Sequence, residues 1–220
     1  MDENKTPKCI GIIMDGNRRW AKQKGLPLLS GHQKGYEKLK ACLRWAREKG
    51  IKYVIFYAFS TENWNRSKEE VSYLMNLLKH AITNELDSLR EEKAKVRIIG
   101  KKEMLGQDFQ DGIKKLEEDT KDNDGPTLVA ALSYGGRLEI LEAVNRAIAG
   151  GKKVDEASFE SLLWTEGIPD PDIIIRTGGD KRLSGFLPFF CKIIFPESIL
   201  EFTKWTVHPE YFSLFLMALS

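Results

Sequence analysis

Short, almost wholly apolar runs alternate along this chain with longer stretches whose apolar residues recur every three or four positions. The runs are KCIGIIM, KYVIFYAF, KVRIIG, TLVAALSY and DIIIRT. Each is bounded by polar or glycine-bearing segments, as expected of buried strands. The helical period appears from Gly35 to Gly50, where Leu39, Cys42, Leu43 and Ala46 share one face. It returns from Ser67 to about Glu92, near Gln107 to Asp122, from Gly136 to Gly150, and briefly from Asp155 to Trp164. Ser67 followed by Glu70 has the spacing of a helix capping box.

Strands that are apolar on both faces and alternate with helices predict an α/β fold, a single domain over 1–220 with a mostly parallel central sheet flanked by helices. Ligands in such sheets bind at the carboxyl ends of the strands. The residues with chemistry fall there: Asp15 after the first run, Ser60 after the second, Tyr134 to Arg137 after the fourth, and Arg176 after the fifth.

Composition narrows the classes. The chain has 220 residues, 42% hydrophobic and 30% charged, with a net charge of only +2. A globular protein with no global attraction for nucleic acid is expected, and any anion site must be local. Cys9, Cys42 and Cys191 show no metal spacing and read as reduced thiols of a cytoplasmic protein. The polar start MDENKTPK predicts no signal peptide. No run reaches the roughly 20 apolar residues of a membrane span. The apolar tract FLPFFCKIIF leaves room for contact with the inner membrane face.

Three stretches carry candidate chemistry. In IIMDGNRRW, Asp15 stands at the mouth of a basic loop, where a carboxylate alone would weaken anion binding. A cation, Mg²⁺, joining Asp15 to a phosphorylated ligand resolves the conflict. Gly16 allows close backbone approach, Asn17 opens a helix whose free N–H groups favour phosphate, and Arg18 and Arg19 add charge-assisted bonds; the plain alternative is a D-G-N turn in which Asp15 caps the helix and the arginines are solvated. FYAFSTENWNRS reads as a polar loop closing on substrate, or as a plain capped turn. In IIIRTGGDKRLSGFLP, Arg176, Arg182 and Ser184 surround a Gly-Gly turn and read as a second phosphate cradle, or as two surface arginines beside a hairpin. Two cradles at one sheet edge suggest a reaction joining two phosphorylated molecules. The broad apolar stripe of the long helix, Val71 to Leu89, either lines a slot for a hydrocarbon tail or packs in the core and against another subunit.

IIMDGNRRWA, Gly31-His32, YAFSTENWNR, YGGR and IIIRTGGDKRLSGFLP together resemble the cis-prenyltransferases, in particular the bacterial undecaprenyl diphosphate synthases, in order from Cys9 to Pro188. The resemblance implies a homodimer whose fold encloses an elongated hydrophobic tunnel. It implies condensation of isopentenyl diphosphate with an allylic diphosphate such as farnesyl diphosphate, giving the undecaprenyl lipid carrier of cell-wall synthesis. The allylic diphosphate then binds at Asp15, Gly16, Asn17, Arg18, Arg19 and Trp20, with His32 nearby. Isopentenyl diphosphate binds at Arg176, Arg182 and Ser184. Phe59, Ser60, Trp64 and Arg66 belong to the closing loop, and Asn63 assists proton loss. Mg²⁺ is held by Asp15, with Glu201 the best match to the family's second carboxylate and Glu197 the next.

The chain departs from the family pattern at three places. Leu28 stands where an arginine is common. The segment 189–220 is atypical and lacks the Trp-Gln pair. The basic Arg-x-Gly tail that completes the partner's isopentenyl site is absent from the sequence. These departures keep a non-catalytic scaffold subunit as the alternative reading. A phosphatase with Asp15 as nucleophile fits less well, because position 17 is Asn rather than a second Asp.

Overall fold

A computed structural model describes residues 6–151, 153–180 and 182–187. Its five strands are β1 (Cys9–Ile13), β2 (Tyr53–Ser60), β3 (Lys95–Ile99), β4 (Thr127–Tyr134) and β5 (Ile173–Arg176). They form one sheet in the order β3-β4-β2-β1-β5, and every pairing is parallel. The expected α/β architecture is therefore observed. β1 is buried at all five positions, as the apolar run requires.

Alternation along the strands sends side chains to two cores. Ile10, Ile12, Phe56, Val96, Ile98, Ala130 and Leu132 face one side. There they meet Leu39, Leu43 and Ala46 of α2 (Leu28–Glu48), Leu74 of α3 (Lys68–Asn84), Leu89 of α4 (Leu86–Glu91), and Ile113 and Leu116 of α5 (Gln107–Thr120). Cys9, Ile13, Ile55, Ile99, Val129 and Ala131 face the other side, with Tyr134, Ile174, Phe186 and Leu187. Among the described residues the remaining α-helices are α1 (Asn17–Gln23), α6 (Gly136–Ala149) and α7 (Glu156–Glu160).

Three helices differ from their expected bounds. α2 starts at Leu28, not Gly35, so the Gly31-His32 pair lies inside its first turns. The stretch expected as one helix from Ser67 to Glu92 is broken at Glu85, which ends α3 and caps α4. α7 covers only the start of the 155–164 stretch. The strands match because a continuous apolar run is unambiguous once it is flanked by turns. Helix ends depend on neighbours that periodicity does not reveal.

Candidate active site

Strand register brings the two loops together. Ile13 of β1 pairs with Arg176 of β5, so the residues following each strand emerge side by side. Two glycines then let the loops touch. Gly16 and Gly178 both have φ +91°, and a Cβ on Gly178 would meet Arg19 Nη2 at 2.8 Å and the Asp15 carbonyl carbon at 3.0 Å. Only glycine fits there at no cost. On the other side, Gly31 lets α2 press against the start of α1. A Cβ there would fall 2.1 Å from the Asn17 carbonyl oxygen.

The result is a charged cluster at the carboxyl edge of the sheet. Arg176 Nη2 donates to Asp15 Oδ2 at 2.7 Å and to Asp180 Oδ2 at 3.5 Å. Arg19 Nη2 lies 3.7 and 3.8 Å from the same two oxygens. Arg182 Nη2 reaches Asp180 Oδ2 at 3.3 Å. Arg176 Nη1 donates to Ser184 Oγ at 2.8 Å and to the Arg182 carbonyl. Burial pushes the Asp15 carboxyl up. The bonds from Arg176 and the Gly16 N–H, with the charges of Arg176 and Arg19, outweigh that and hold it below the usual aspartate range. The Arg176 side chain is only 7% exposed, and its Nε is buried with no acceptor among the described residues. A buried donor without a partner is costly, and an anion oxygen would satisfy it.

Around this cluster opens a cavity of about 450 Å³. Asp15, Gly16, Asn17, Arg18, Arg19, His32, Ser60, Asn63, Arg66, Arg176, Arg182 and Ser184 all line it. Trp20, Phe59 and Trp64 stand outside that lining. Phe59 is buried and packs edge-on against Trp64, ring centroids 5.0 Å apart, and Trp64 Nε1 donates to Ser133 Oγ at 3.2 Å. These two aromatics hold the short 3-10 helix Thr61–Asn65 to the sheet from behind. Asn63 also has a local role: its Oδ1 accepts the Ser60 N–H at 3.1 Å. Leu28 is half exposed and lies outside the lining. Glu201 and Glu197, and the whole segment 189–220, lie outside the described residues.

Three residues of the site escaped the sequence reading. The spacing of Ser67 and Glu70 predicts only a helix cap. Ser67 Oγ does accept the Glu70 N–H, but the Glu70 carboxylate takes Arg66 at 2.8 Å, His32 at 3.3 Å and Arg18 at 3.4 Å. It gathers the basic groups of the first cradle. Burial lowers the pKa of His32 from its ordinary value, Glu70 opposes this, and the neighbouring arginines add to the lowering. Asp180 directly follows the Gly-Gly pair and accepts from both Arg176 and Arg182. Tyr57 looked like strand interior. Its hydroxyl instead reaches the Tyr134 carbonyl at 3.0 Å and the Ser184 carbonyl at 3.5 Å, and its ring stacks on Phe186 at 4.9 Å.

A second cavity, of about 170 Å³ and mostly apolar, lies between α2, α3 and the sheet. Tyr36, Leu39, Phe56 and Leu78 belong to the walls of both cavities. Among the described residues no helix is long and apolar enough to cross a membrane.

The family model described as "Putative undecaprenyl diphosphate synthase" matches residues 13–211. The chain belongs to the undecaprenyl diphosphate synthase family of prenyltransferases. It is 48% identical over 186 residues to the isoprenyl transferase of Thermotoga maritima, covering 82% of this chain and 80% of that one. It is 46% identical over 192 residues to the farnesyl-diphosphate-specific ditrans,polycis-undecaprenyl-diphosphate synthase of Micrococcus luteus, covering 84% and 77%. Among solved structures, lavandulyl diphosphate synthase from Lavandula x intermedia, in complex with dimethylallyl diphosphate, superposes with a TM-score of 0.82. The identity is 31%, over 97% of this chain and 95% of that one. A probable undecaprenyl diphosphate synthase from Campylobacter jejuni gives 0.71 at 28% identity, over 94% and 96%.

Proposed function

We propose that this prenyltransferase condenses isopentenyl diphosphate with an allylic diphosphate such as farnesyl diphosphate, repeatedly, to make undecaprenyl diphosphate. The single observation that carries the reading is Arg176. It is a nearly buried guanidinium with an orphaned Nε, set between two basic loops at the mouth of a cavity that adjoins an apolar one. Diphosphates supply the anions and a prenyl chain fills the apolar space.

The first cradle, Asn17, Arg18 and Arg19 at the start of α1, takes the allylic diphosphate. The second, Arg176, Arg182 and Ser184, takes isopentenyl diphosphate. Holding the two together converts a bimolecular encounter into an oriented reaction. The bond from the allylic C1 to its diphosphate breaks, and C4 of the isopentenyl unit bonds to C1. A proton leaves C2 of that unit for a diphosphate oxygen, which leaves a new cis double bond. Asn63, whose Oδ1 is already occupied by the Ser60 N–H, orients this end of the substrate. The wall from Tyr36 to Leu78 excludes water and receives the growing chain as a tunnel.

The donor set fits Mg²⁺. Among the described residues no three metal-ligating side chains cluster, and Mg²⁺ is typically held by one or two carboxylates together with substrate phosphates. Asp15 would hold it with diphosphate oxygens, and Glu201 is the proposed second carboxylate. Mg²⁺ bound there neutralises charge on the leaving diphosphate.

The reading further includes a homodimer, a cytoplasmic enzyme touching the inner membrane face, and a lipid carrier serving the cell wall. The decisive test incubates the purified chain with farnesyl diphosphate, labelled isopentenyl diphosphate and Mg²⁺ and resolves products by length. A C55 product supports the reading. Diphosphate binding without any condensation would favour the scaffold subunit.

A further inference from the structure

Glu70 is a mostly buried charge with no part in the proposed condensation. It is the third residue of α3, and its side chain is 13% exposed. Oε1 accepts from Arg66 Nη1 at 2.8 Å and lies 3.3 Å from His32 Nε2, while Oε2 accepts from Arg18 Nη1 at 3.4 Å. The three basic groups come from three places: Arg18 from α1, His32 from α2, and Arg66 from the end of the 3-10 helix. Among the described residues Glu70 is the carboxylate each of them pairs with. All three line the large cavity, and Glu70 does not. They stand between the carboxylate and the space in which the allylic diphosphate is proposed to sit.

We propose that Glu70 is a resident counter-anion: it holds Arg18, His32 and Arg66 while the first cradle is empty, yields them to an incoming diphosphate, and takes them back when inorganic diphosphate must leave. The inference rests on the reading of the first cradle as the allylic diphosphate site. Basic groups converging on an empty pocket repel one another, and a carboxylate behind them offsets that repulsion. A diphosphate carries more charge and more acceptor oxygens than one carboxylate, so it wins the exchange. Each bond it gains still replaces one to Glu70, so it is held less tightly than three unpaired cations would hold it. That matters at every elongation step, because the released inorganic diphosphate occupies the cradle that the next chain end needs. While the cations face the ligand, Glu70 rests in the first turn of α3, where the helix N-terminus favours a negative charge. Glu70 acts through the cations and is a positioning residue.

The test is the affinity for inorganic diphosphate, measured by titration calorimetry with chelator present, in the parent and in Glu70→Gln. The amide keeps the size of the side chain and removes its charge. The variant should bind about tenfold more tightly. In the condensation assay inorganic diphosphate should inhibit it more strongly by a similar factor, with both kcat and KM for farnesyl diphosphate lowered. A mere brace between α1, α2 and α3 predicts the reverse: a looser cradle, weaker diphosphate binding and a raised KM. Equal or weaker binding by the variant would therefore overturn the proposal. In an Arg18→Gln background the gain should shrink, and an undiminished gain would show that no handover occurs. Should the variant melt early, inorganic diphosphate should raise its melting temperature by more than it raises the parent's, and an equal or smaller rise would count against the counter-anion. A parent that binds no diphosphate at all would overturn the functional reading and the counter-anion with it.

Discussion

Arg176 and Asp15, 161 residues apart in sequence, are bonded to each other: the guanidinium Nη2 donates to the carboxylate Oδ2 at 2.7 Å. The carboxylate proposed to meet the metal and the arginine proposed to meet the second diphosphate are thus partners before any substrate arrives. Each must turn from the other toward a ligand, and Asp180, 3.5 Å from the same nitrogen, is placed to take up the arginine when Asp15 turns away.

Asp15→Asn separates these roles. The amide keeps an oxygen for the Gly16 N–H, so the turn survives. It is a poor Mg²⁺ ligand, and losing metal stabilisation of the leaving group should cost on the order of 100-fold or more in turnover. Farnesyl diphosphate affinity measured with chelator present should be equal or higher, because one negative charge has left the neighbourhood of Arg19 and Arg176. Near-normal turnover would return Asp15 to being a turn residue.

The two arginines of the second cradle should behave differently. Arg182 is 69% exposed, and among the described residues its side chain is held by Asp180, so Arg182→Ala leaves the fold intact. It should weaken isopentenyl diphosphate binding by about tenfold while sparing the allylic diphosphate. Arg176→Ala removes the partner of Asp15 and Ser184 from a buried position and should lower the melting temperature as well. Titration calorimetry with each substrate, beside thermal melts, separates the two. Equal losses for both substrates in Arg182→Ala would break the two-cradle assignment.

Tyr57→Phe tests whether the second cradle is held from β2. The ring keeps its stack on Phe186 and only the hydroxyl is lost. One neutral hydrogen bond is worth about 1 kcal/mol, so KM for isopentenyl diphosphate should rise about fivefold with kcat little changed. An unchanged KM would mean that the Gly136 N–H bond to the Gly185 carbonyl is anchor enough.

His32 gives a pH prediction. Its folded pKa lies below the ordinary 6.5, so between the two values the unfolded chain binds more protons. This stability contribution is complete above about 6.5 and is lost as pH falls toward the folded value. Proton NMR should show the His32 ring titrating below 6.5. Glu70→Gln should move it lower still, because Glu70 is the group that raises it. A shift upward in that variant would show that the pair at 3.3 Å does not act on the imidazole.

The sequence by itself determined the strands and the identity of the first-line charges. Five apolar runs bounded by turns have one sensible fate, and β4 falls on Thr127–Tyr134, the apolar run itself. Asp15, Arg19, Arg176 and Arg182 are legible because charges that follow a buried strand are placed at the sheet edge by the strand itself. Helix limits were less legible. The apolar period runs on through Glu85, where the backbone leaves the helix at φ −100° and the carboxylate pairs with Lys40 of α2, a contact that local periodicity does not contain.

What the tertiary structure alone decided is who meets whom. Sequence spacing carries no register, and it is the pairing of Ile13 with Arg176 that sets the first and second loops against each other. It could not assign Glu70 to three basic partners, because a capping glutamate and a charge hub have the same local spacing. Nor could it find Tyr57, whose hydroxyl acts at the end of β2, where Ala58 and Ser133 drop out of the pairing between β2 and β4. Contacts made across the fold depend on distances between elements, and one-dimensional periodicity fixes only the face each element presents.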